Sequence, residues 1–444
     1  MWATKDAATI VAIASGKGQA GVGVIRLSGT NAYAIALKMT AKKELRPRYA
    51  HYSNFLDQEG KTVDQGLVLF FPAPRSFTGE HVVELQGHGG GFILNELVSL
   101  ALSYGAVLAK PGEFTERAFL NGKIDLLQAE AVCDLIQAQS QKQAQAATAS
   151  LQGVYSEQMQ AFQTQLEVIR IEVEAAIDFS EQDIPTQGRQ ALEMRIEQLT
   201  KDMQDFEQAV ARGIRERQGL QVVLCGPPNV GKSSLLNYLT QNETAIVTDI
   251  PGTTRDLLHA EFAHNGHVFH ITDTAGLRES DDVVEQVGVA KAKEAIIGAD
   301  CVWFVHDLSL SSQANETSYL QGVDPEKVLM IGNKADLVAT KQASGMDYHI
   351  SAKSGLGVTA LLDELCQKFF DDEERTTFSA RARHLQHIQH AISHLKQAHS
   401  HQEQHWDLVA EDLRQAQQAL ACILGTYSSE HLLDAIFRTF CLGK

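Results

Sequence analysis

The sequence lacks the features of a membrane-spanning, secreted or nucleic-acid-coating protein. Its 444 residues include 38 Lys and Arg against 55 Asp and Glu, a formal net charge of −17. This balance argues against bulk electrostatic binding of nucleic acid, but it leaves room for a local basic patch or a basic partner. No apolar run approaches the ~20 residues that span a bilayer, and the first residues carry no signal-peptide pattern. Six cysteines without Cys-x-x-Cys spacing favour reduced thiols. We therefore expect a cytoplasmic protein.

A phosphate-binding loop lies in the middle of the chain. Residues 226–233 spell Gly-x-x-x-x-Gly-Lys-Ser, preceded by an apolar strand-like run at 221–225 and followed by helical periodicity at 234–239. Glycines leave backbone N–H groups free to face phosphates at a helix N-terminus. Lys232 supplies a charge for the β- and γ-phosphates, and the Ser233 hydroxyl can ligate Mg²⁺.

Three further motifs follow the phosphate loop along the chain, and they predict that the bound nucleotide carries guanine. A strand ends in Asp-Thr-Ala-Gly at 273–276, where Asp273 would hold Mg²⁺ through water and the Gly276 N–H would sense the γ-phosphate. Another strand leads into Asn-Lys-Ala-Asp at 333–336, and the Asp336 carboxylate can accept both N1–H and N2–H₂ of guanine. Ser-Ala-Lys at 351–353 suits a backbone contact to guanine O6. Together with the phosphate loop, these segments predict a GTPase domain.

The usual water-orienting glutamine is absent, because Leu277 follows Asp-x-x-Gly and cannot hydrogen-bond to water. Glu285 offers a carboxylate nearby. From the residues alone, two interpretations stay open: Glu285 orients the attacking water, or it is a first-turn glutamate favoured by the helix dipole.

Composition shifts divide the chain. Short strand patterns and turns fill residues 1–118, Ala-, Gln-, Glu- and Leu-rich helical patterns fill 119–219 and 373–444, and the nucleotide motifs lie within 220–372. The predicted fold class is therefore multidomain. It has an α+β N-terminal domain and an α-helical bundle domain made from both flanks, into which an α/β Ras-like P-loop GTPase domain is inserted.

The motifs resemble those of the MnmE (TrmE) family of tRNA-modification GTPases over the full length. Beyond 226–234 and 273–278, they are Thr-Asp-Ile-Pro-Gly-Thr-Thr-Arg-Asp at 248–256, Leu-Gln-Gly-His-Gly-Gly at 85–90, Pro-Gly-Glu-Phe-Thr-Glu-Arg-Ala-Phe-Leu-Asn at 111–121 and Phe-Cys-Leu-Gly-Lys at 440–444. One departure is Pro227, where this family usually has arginine.

The resemblance implies a set of nucleotide and cation ligands. Glu285 matches the catalytic glutamate, Ser233 and Thr254 would ligate Mg²⁺, and K⁺ would lie where other GTPases place an arginine finger. The K⁺ ligands would be Asn229, Thr248, Ile250 and Thr253. The asparagine also has a second interpretation, as a choice for loop conformation alone. The implied GTP-binding residues are Asn229, Val230, Gly231, Lys232, Ser233, Ser234, Thr248, Asp249, Ile250, Pro251, Gly252, Thr253, Thr254, Asp273, Thr274, Ala275, Gly276, Asn333, Lys334, Ala335, Asp336, Ser351, Ala352 and Lys353.

The resemblance also implies a site for a 5-formyltetrahydrofolate-type one-carbon donor, with Arg26, Glu84, Lys123 and Lys444 as ligands. Without the resemblance, each of these is an ordinary surface charge. Cys441 would lie near the modification chemistry, and an inert thiol is the other interpretation.

The function that the resemblance implies is GTP hydrolysis coupled to modification of the wobble uridine of certain tRNAs. Such proteins form homodimers whose GTPase domains meet across their nucleotides. With a flavoprotein partner, MnmG, they install a carboxymethylaminomethyl group at uridine C5. The alternative is a GTP-gated binding factor in ribosome assembly, similar to Era. Such factors carry a basic RNA-binding domain, which the His- and Gln-rich tail here does not match.

Overall fold

The computed structural model describes residues 8–16, 18–178, 186–242, 244–245, 258–273, 294–310, 320, 322–338, 345–370, 378–401, 405–426, 430–440 and 443. The chain divides into two compact units. The first comprises Met1–Cys133, Leu151–Thr200 and His390–Lys444, and the second comprises Asp134–Ser150 and Lys201–Gln389. Within the described ranges, no helix is long and apolar enough to cross a membrane.

Helices occur in both units of the chain. Those described are α1 (Ala32–Thr40), α2 (Gly91–Ser103), α3 (Glu113–Leu120), α4 (Leu126–Gln137), α5 (Gln141–Leu151), α6 (Val154–Asp178), α7 (Thr186–Gln218), α8 (Lys232–Asn242), α9 (Val358–Phe370), α10 (Ala382–His401), α11 (Trp406–Leu424) and α12 (Glu430–Phe437).

A mixed sheet organises the N-terminal part of the first unit. Its described strands have the order β3-β4-β5-β2-β1-β6. Alternation along β2 buries Ile25 and Leu27 in a core with α1 and α2, so Arg26 lies on the opposite face, paired in register with Glu84 of β5. The strands are β1 (Ile10–Ile13), β2 (Ala20–Ser28), β3 (His51–Leu56), β4 (Thr62–Phe71), β5 (Val82–Gly89) and β6 (Val107–Leu108).

The helical part of the first unit also packs through apolar side chains. Helices α6 and α11 lie against each other. A cluster around Leu126 of α4 includes Phe437 and Phe440. Gly112 stands at φ +71°, and a Cβ there would lie 2.5 Å from the Phe437 carbonyl oxygen, so a glycine is needed at this contact.

The second unit contains a mainly parallel sheet with the described order β13-β12-β11-β7-β10-β9-β8. Strand β7 is buried at almost every position, as a central parallel strand covered on both faces must be. The strands predicted at 221–225 and 328–332 are confirmed. The set is β7 (Leu220–Cys225), β8 (Thr244–Ala245), β9 (Leu258–His264), β10 (His267–Asp273), β11 (Cys301–Asp307), β12 (Val328–Asn333) and β13 (Tyr348–His349).

The chain enters and leaves this sheet domain beside the same strand. Gly219 links α7 to β7 at φ +69°, where a Cβ would lie 2.8 Å from the Val268 carbonyl oxygen. Phe370 ends α9, and its ring stacks on His267 at 3.9 Å between ring centroids. Both connections therefore adjoin the first residues of β10.

Candidate functional site

The phosphate loop connects β7 to α8, with a glycine near each end of the loop. Gly226 stands at φ +130°, and a Cβ there would lie 2.4 Å from the Val305 carbonyl oxygen. Gly231 stands at φ +100°, with only 2.3 Å between an added Cβ and Nδ2 of Asn333. Both positions therefore require glycine for backbone conformation and for space.

Lys232 is held inside this loop and is only 5 % exposed. Its ammonium group donates to the carbonyl oxygens of Gly226 at 2.7 Å and Pro227 at 2.8 Å. Burial lowers the pKa of Lys232, while the nearby Asp273 acts in the opposite direction. A cation poorly solvated by water is well suited to bind phosphate oxygens.

Ser233 and Asp273 come together at the start of α8. The Ser233 hydroxyl donates to Oδ2 of Asp273 at 3.1 Å, and Asp273 is 2 % exposed at the end of β10. A hydroxyl and a carboxylate are hard oxygen ligands, so this pair fits Mg²⁺. Among the described residues no group of three or more His, Cys, Asp or Glu is placed to hold a metal ion.

Asn333 joins the phosphate loop to the guanine side of the site. It is 2 % exposed, its Nδ2 donates to the Val230 carbonyl at 2.8 Å, and its Oδ1 accepts from the Ala352 N–H at 2.9 Å. One side chain thus connects three of the motifs. The sequence places Asn333 in the nucleotide site, but it does not indicate this role between loops.

Asp307 is a further residue that the sequence analysis missed. It ends β11, and its carboxylate pairs with Lys334, which also donates to the Asn229 carbonyl at 3.3 Å. Burial acts to raise the pKa of Asp307, but hydrogen bonds from Lys334 and Ser309 outweigh it and lower the pKa. Its position at the carboxyl end of a parallel strand beside β12 was the available signal.

The other predicted guanine ligands lie close in sequence to Lys334 and Ala352. Asp336 is exposed, and the N–H of Ala335 donates to the Ile350 carbonyl at 3.0 Å. Ser351 is buried and Lys353 is exposed. An exposed carboxylate next to a rigid loop can accept the paired donors of guanine.

Several predicted site residues lie outside the described residues. In the GTPase domain they are Thr248, Asp249, Ile250, Pro251, Gly252, Thr253, Thr254, Thr274, Ala275, Gly276 and Glu285, and near the C-terminus they are Cys441 and Lys444.

In the N-terminal domain, Arg26 and Glu84 form an ion pair with 2.8 Å between Nη2 and Oε1. The Arg26 guanidinium also lies over the rings of Phe77 and Phe114, at 6.0 and 5.8 Å from their centroids. Lys123 follows α3 and donates to the Pro74 carbonyl at 3.0 Å, so it contacts the loop that carries Phe77. A carboxylate and a cation against aromatic rings fit the polar edge and flat body of a pterin.

A buried ion network supports this loop and was not predicted. Arg117 is 7 % exposed and donates to Glu80 at 3.0 Å, to Glu113 at 2.8 Å and to the Ala8 carbonyl at 2.9 Å. Near the C-terminus, Gly443 stands at φ +91°, and a Cβ there would lie 2.1 Å from the Ile13 carbonyl oxygen. Gly443 therefore lies against the end of β1, which pairs with β2, the strand that carries Arg26.

Comparison with known proteins decides the family. Two family models match: the MnmE helical domain over residues 126–441 and the TrmE N-terminal domain over residues 9–123. The tRNA modification GTPase MnmE of Dichelobacter nodosus is 45 % identical over 98 % of this chain and 99 % of its own. The chain belongs to the MnmE family. The protein of that name from Pseudomonas aeruginosa strain UCBPP-PA14 is also 45 % identical, over 98 % of this chain and 99 % of its own.

The predicted multidomain fold class is confirmed by the two family models and by the sheets and helices described above. Among solved structures, Era from Aquifex aeolicus is 24 % identical over 39 % of this chain and 65 % of its own, with a TM-score of 0.28. Nothing about activity follows from that likeness.

Proposed function

We propose that the chain is a Mg²⁺-dependent, K⁺-stimulated GTPase that drives modification of the wobble uridine in certain tRNAs. Membership of the MnmE family makes it a GTP hydrolase of tRNA modification. The observation that carries the proposal is the assembly around Asn333. The phosphate loop, the Asn-Lys-Ala-Asp motif and the Ser-Ala-Lys motif meet at one buried side chain.

The proposal gives each site residue a role in nucleotide binding or hydrolysis. Lys232 would hold the β- and γ-phosphates, and Asp336 would select guanine by accepting two N–H groups. Ser233 and Asp273, with Thr254, would hold Mg²⁺, which neutralises charge on the phosphates. Glu285 would orient the attacking water, because Leu277 cannot. Retention of GDP binding with loss of hydrolysis in Glu285→Ala tests this assignment.

A K⁺ ion held by Asn229, Thr248, Ile250 and Thr253 would supply positive charge at the β–γ bridge. Asn229 is exposed in the phosphate loop and stands at φ +66°. That conformation by itself favours asparagine or glycine. A discriminating variant must therefore keep the conformation and remove only the amide.

Asn229→Gly meets this requirement. We expect faster GTP hydrolysis by the wild type in KCl than in NaCl at equal ionic strength, and loss of that difference in Asn229→Gly with GDP binding retained. Full K⁺ stimulation of Asn229→Gly would assign the asparagine to loop conformation alone. Equal wild-type rates in the two salts would refute the potassium site.

The N-terminal domain would bind the formyl-tetrahydrofolate-type donor through Arg26, Glu84, Lys123 and Lys444. Calorimetry with 5-formyltetrahydrofolate tests this. Lys123→Met is expected to weaken binding by about tenfold, the worth of one charge-assisted hydrogen bond. Lys61→Met is the control, because the Lys61 side chain is 76 % exposed and pairs with an exposed glutamate. An equal affinity in both variants would contradict the assignment.

Further elements of the proposal come from the family. The chain would form a homodimer in the cytoplasm, act on tRNA with the flavoprotein MnmG, and place Cys441 near the chemistry. Its domains would be residues 1–118, the two-part helical domain of 119–219 and 373–444, and the GTPase domain of 220–372. Mass spectrometry of tRNA nucleosides from a host that lacks its own family member tests the activity. Modified wobble uridine should return with the wild type and stay absent with Glu285→Ala.

A further inference from the structure

A chain of hydrogen-bonded polar groups, two of them buried, connects three segments that are far apart in sequence. Nζ of Lys142 on α5 lies 2.7 Å from Nε2 of His267, the first residue of β10. Nδ1 of the same ring lies 2.9 Å from Oε2 of Glu216, in the last turn of α7. His267 is 2 % exposed and Glu216 is 3 % exposed.

Lys142, His267 and Glu216 together are called the relay. Which atoms donate and which accept in it follows from the chemistry of the three side chains. A lysine ammonium group only donates, so Nε2 of His267 accepts, and the ring proton lies on Nδ1 and is donated to Glu216. The imidazole thus links the half-buried ammonium group of Lys142 to the buried carboxylate of Glu216. Oε1 of Glu216 has no hydrogen-bond partner among the described residues. Disrupting the relay would leave that carboxylate poorly compensated, which is costly in a protein interior.

The relay lies at the turn of the β9–β10 hairpin, whose other end reaches the nucleotide site. Strand β10 runs from His267 to Asp273, and β9 begins at Leu258, shortly after the predicted cation loop of 248–254. The two strands stay in register along their whole length. These paired strands form a continuous hydrogen-bonded connection between the nucleotide end and the turn.

The turn packs directly on α5. Asn265 and Gly266 stand at φ +49° and +84°, and a Cβ on Gly266 would lie 3.1 Å from Cγ of Lys142. A second contact comes from β9, where Oε2 of Glu261 accepts from Gln139 at 2.8 Å. The hairpin therefore contacts the first turn of α5 through its turn and through His267, and it contacts Gln139, two residues before that helix, through β9.

Helix α5 also reaches the end of α7. Nε2 of Gln143 lies 3.2 Å from each of the Glu216 and Arg217 carbonyl oxygens. A cavity of about 400 Å³ lies beside these contacts. Its walls include Asp134, Gln139, Gln143, Arg217, His270 and Ser379. Space next to a hydrogen-bonded contact allows that contact to rearrange without a clash.

We propose that Lys142, His267 and Glu216 are positioning residues that transmit the nucleotide state of the GTPase domain, through the β9–β10 hairpin, to α5 and the end of α7. The inference rests on the proposed function, in which the loops adjoining β9 and β10 respond to GTP. Coupling of this kind is carried by a contiguous set of hydrogen bonds and packed side chains.

Hydrogen exchange of the full-length protein tests the relay. Exchange is compared between the GDP state and the GDP–aluminium fluoride state, in KCl with Mg²⁺, for peptides from α5 and from α8. In the wild type both peptides should respond. In Lys142→Met the α5 response should fall about tenfold, the factor expected for one charge-assisted hydrogen bond, while the α8 response persists.

Two further variants separate coupling from folding. Glu216→Gln keeps the size and the acceptor oxygen but removes the charge, so its α5 response should also fall. Gln145→Met changes an exposed residue of α5 and should leave both responses intact. A wild-type α5 response that survives in Lys142→Met and Glu216→Gln would overturn the inference, as would an α5 peptide that never responds while α8 does. Absence of any α8 response in the wild type would overturn the proposed function as well.

Discussion

Replacement of Asn333 by alanine tests whether the nucleotide site is held together before nucleotide binds. The substitution removes two hydrogen bonds and leaves the Val230 carbonyl and the Ala352 N–H without this partner. Val230 is 3 % exposed and Ala352 is 7 % exposed, so water replaces the lost partner poorly. At ~1–3 kcal/mol for each of the two buried unsatisfied groups, the free energy of unfolding should fall by about 2–6 kcal/mol. For a unit of this size, that corresponds to a decrease in Tm of roughly 4–24 °C.

The assay is thermal unfolding of nucleotide-free protein, followed by titration with a fluorescent GDP analogue. Besides the lower Tm, the Kd for GDP should rise by at least about tenfold, because both loops lose their common attachment. Asn237→Ala, at an exposed position of α8, is the matched control and should change neither quantity. If nucleotide-free Asn333→Ala melts within about 1 °C of the wild type while GDP binding is weakened, Asn333 acts only through direct contact with nucleotide.

The other predictions concern charge pairs and one glycine. Asp307→Asn should lower the free energy of unfolding by about 2 kcal/mol at neutral pH. Because the pKa of Asp307 in the folded protein is below its ordinary value of 3.8, this difference should be present above that pH and vanish as the pH falls through the folded pKa, in thermal melts from pH 7 to pH 2.5. Arg117→Met should cost about 3–5 kcal/mol, since two half-buried glutamates lose their partner, whereas Arg438→Met, at a 75 % exposed side chain, should cost about 0–1 kcal/mol in urea unfolding. Gly443→Ala should weaken 5-formyltetrahydrofolate binding in calorimetry and leave GTP hydrolysis unchanged; unchanged folate affinity would separate the C-terminal segment from that site.

Much of the nucleotide site could be predicted because its chemistry is local. Lys232 and Ser233 are fixed relative to the phosphate loop by a few covalent bonds, and the apolar runs before each motif indicate buried strands. The family resemblance, now confirmed, extended these expectations to the N-terminal domain. There it predicted Arg26 and Glu84 as members of one site, and the strand register brings them together.

The residues that sequence reasoning missed act between segments. Asp307, Arg117 and His267 resemble ordinary polar residues until the packing of strands and helices places their partners beside them. No periodicity or spacing specifies such contacts, because each depends on which loops meet in three dimensions. The same limit applies to Asn333, whose motif predicts guanine recognition and whose side chain instead joins two loops in this structure.

The adjoining connections at Gly219 and Phe370 have a consequence for modular construction. Since both lie against the first residues of β10, the chain leaves the nucleotide-binding fold near the point at which it entered. A domain whose two ends lie close together can be inserted into another domain without distorting it. When the inserted domain is deleted, a short linker can join the two cut ends of the chain. Here α7 and the segment that begins at residue 378 would need only such a linker to become continuous.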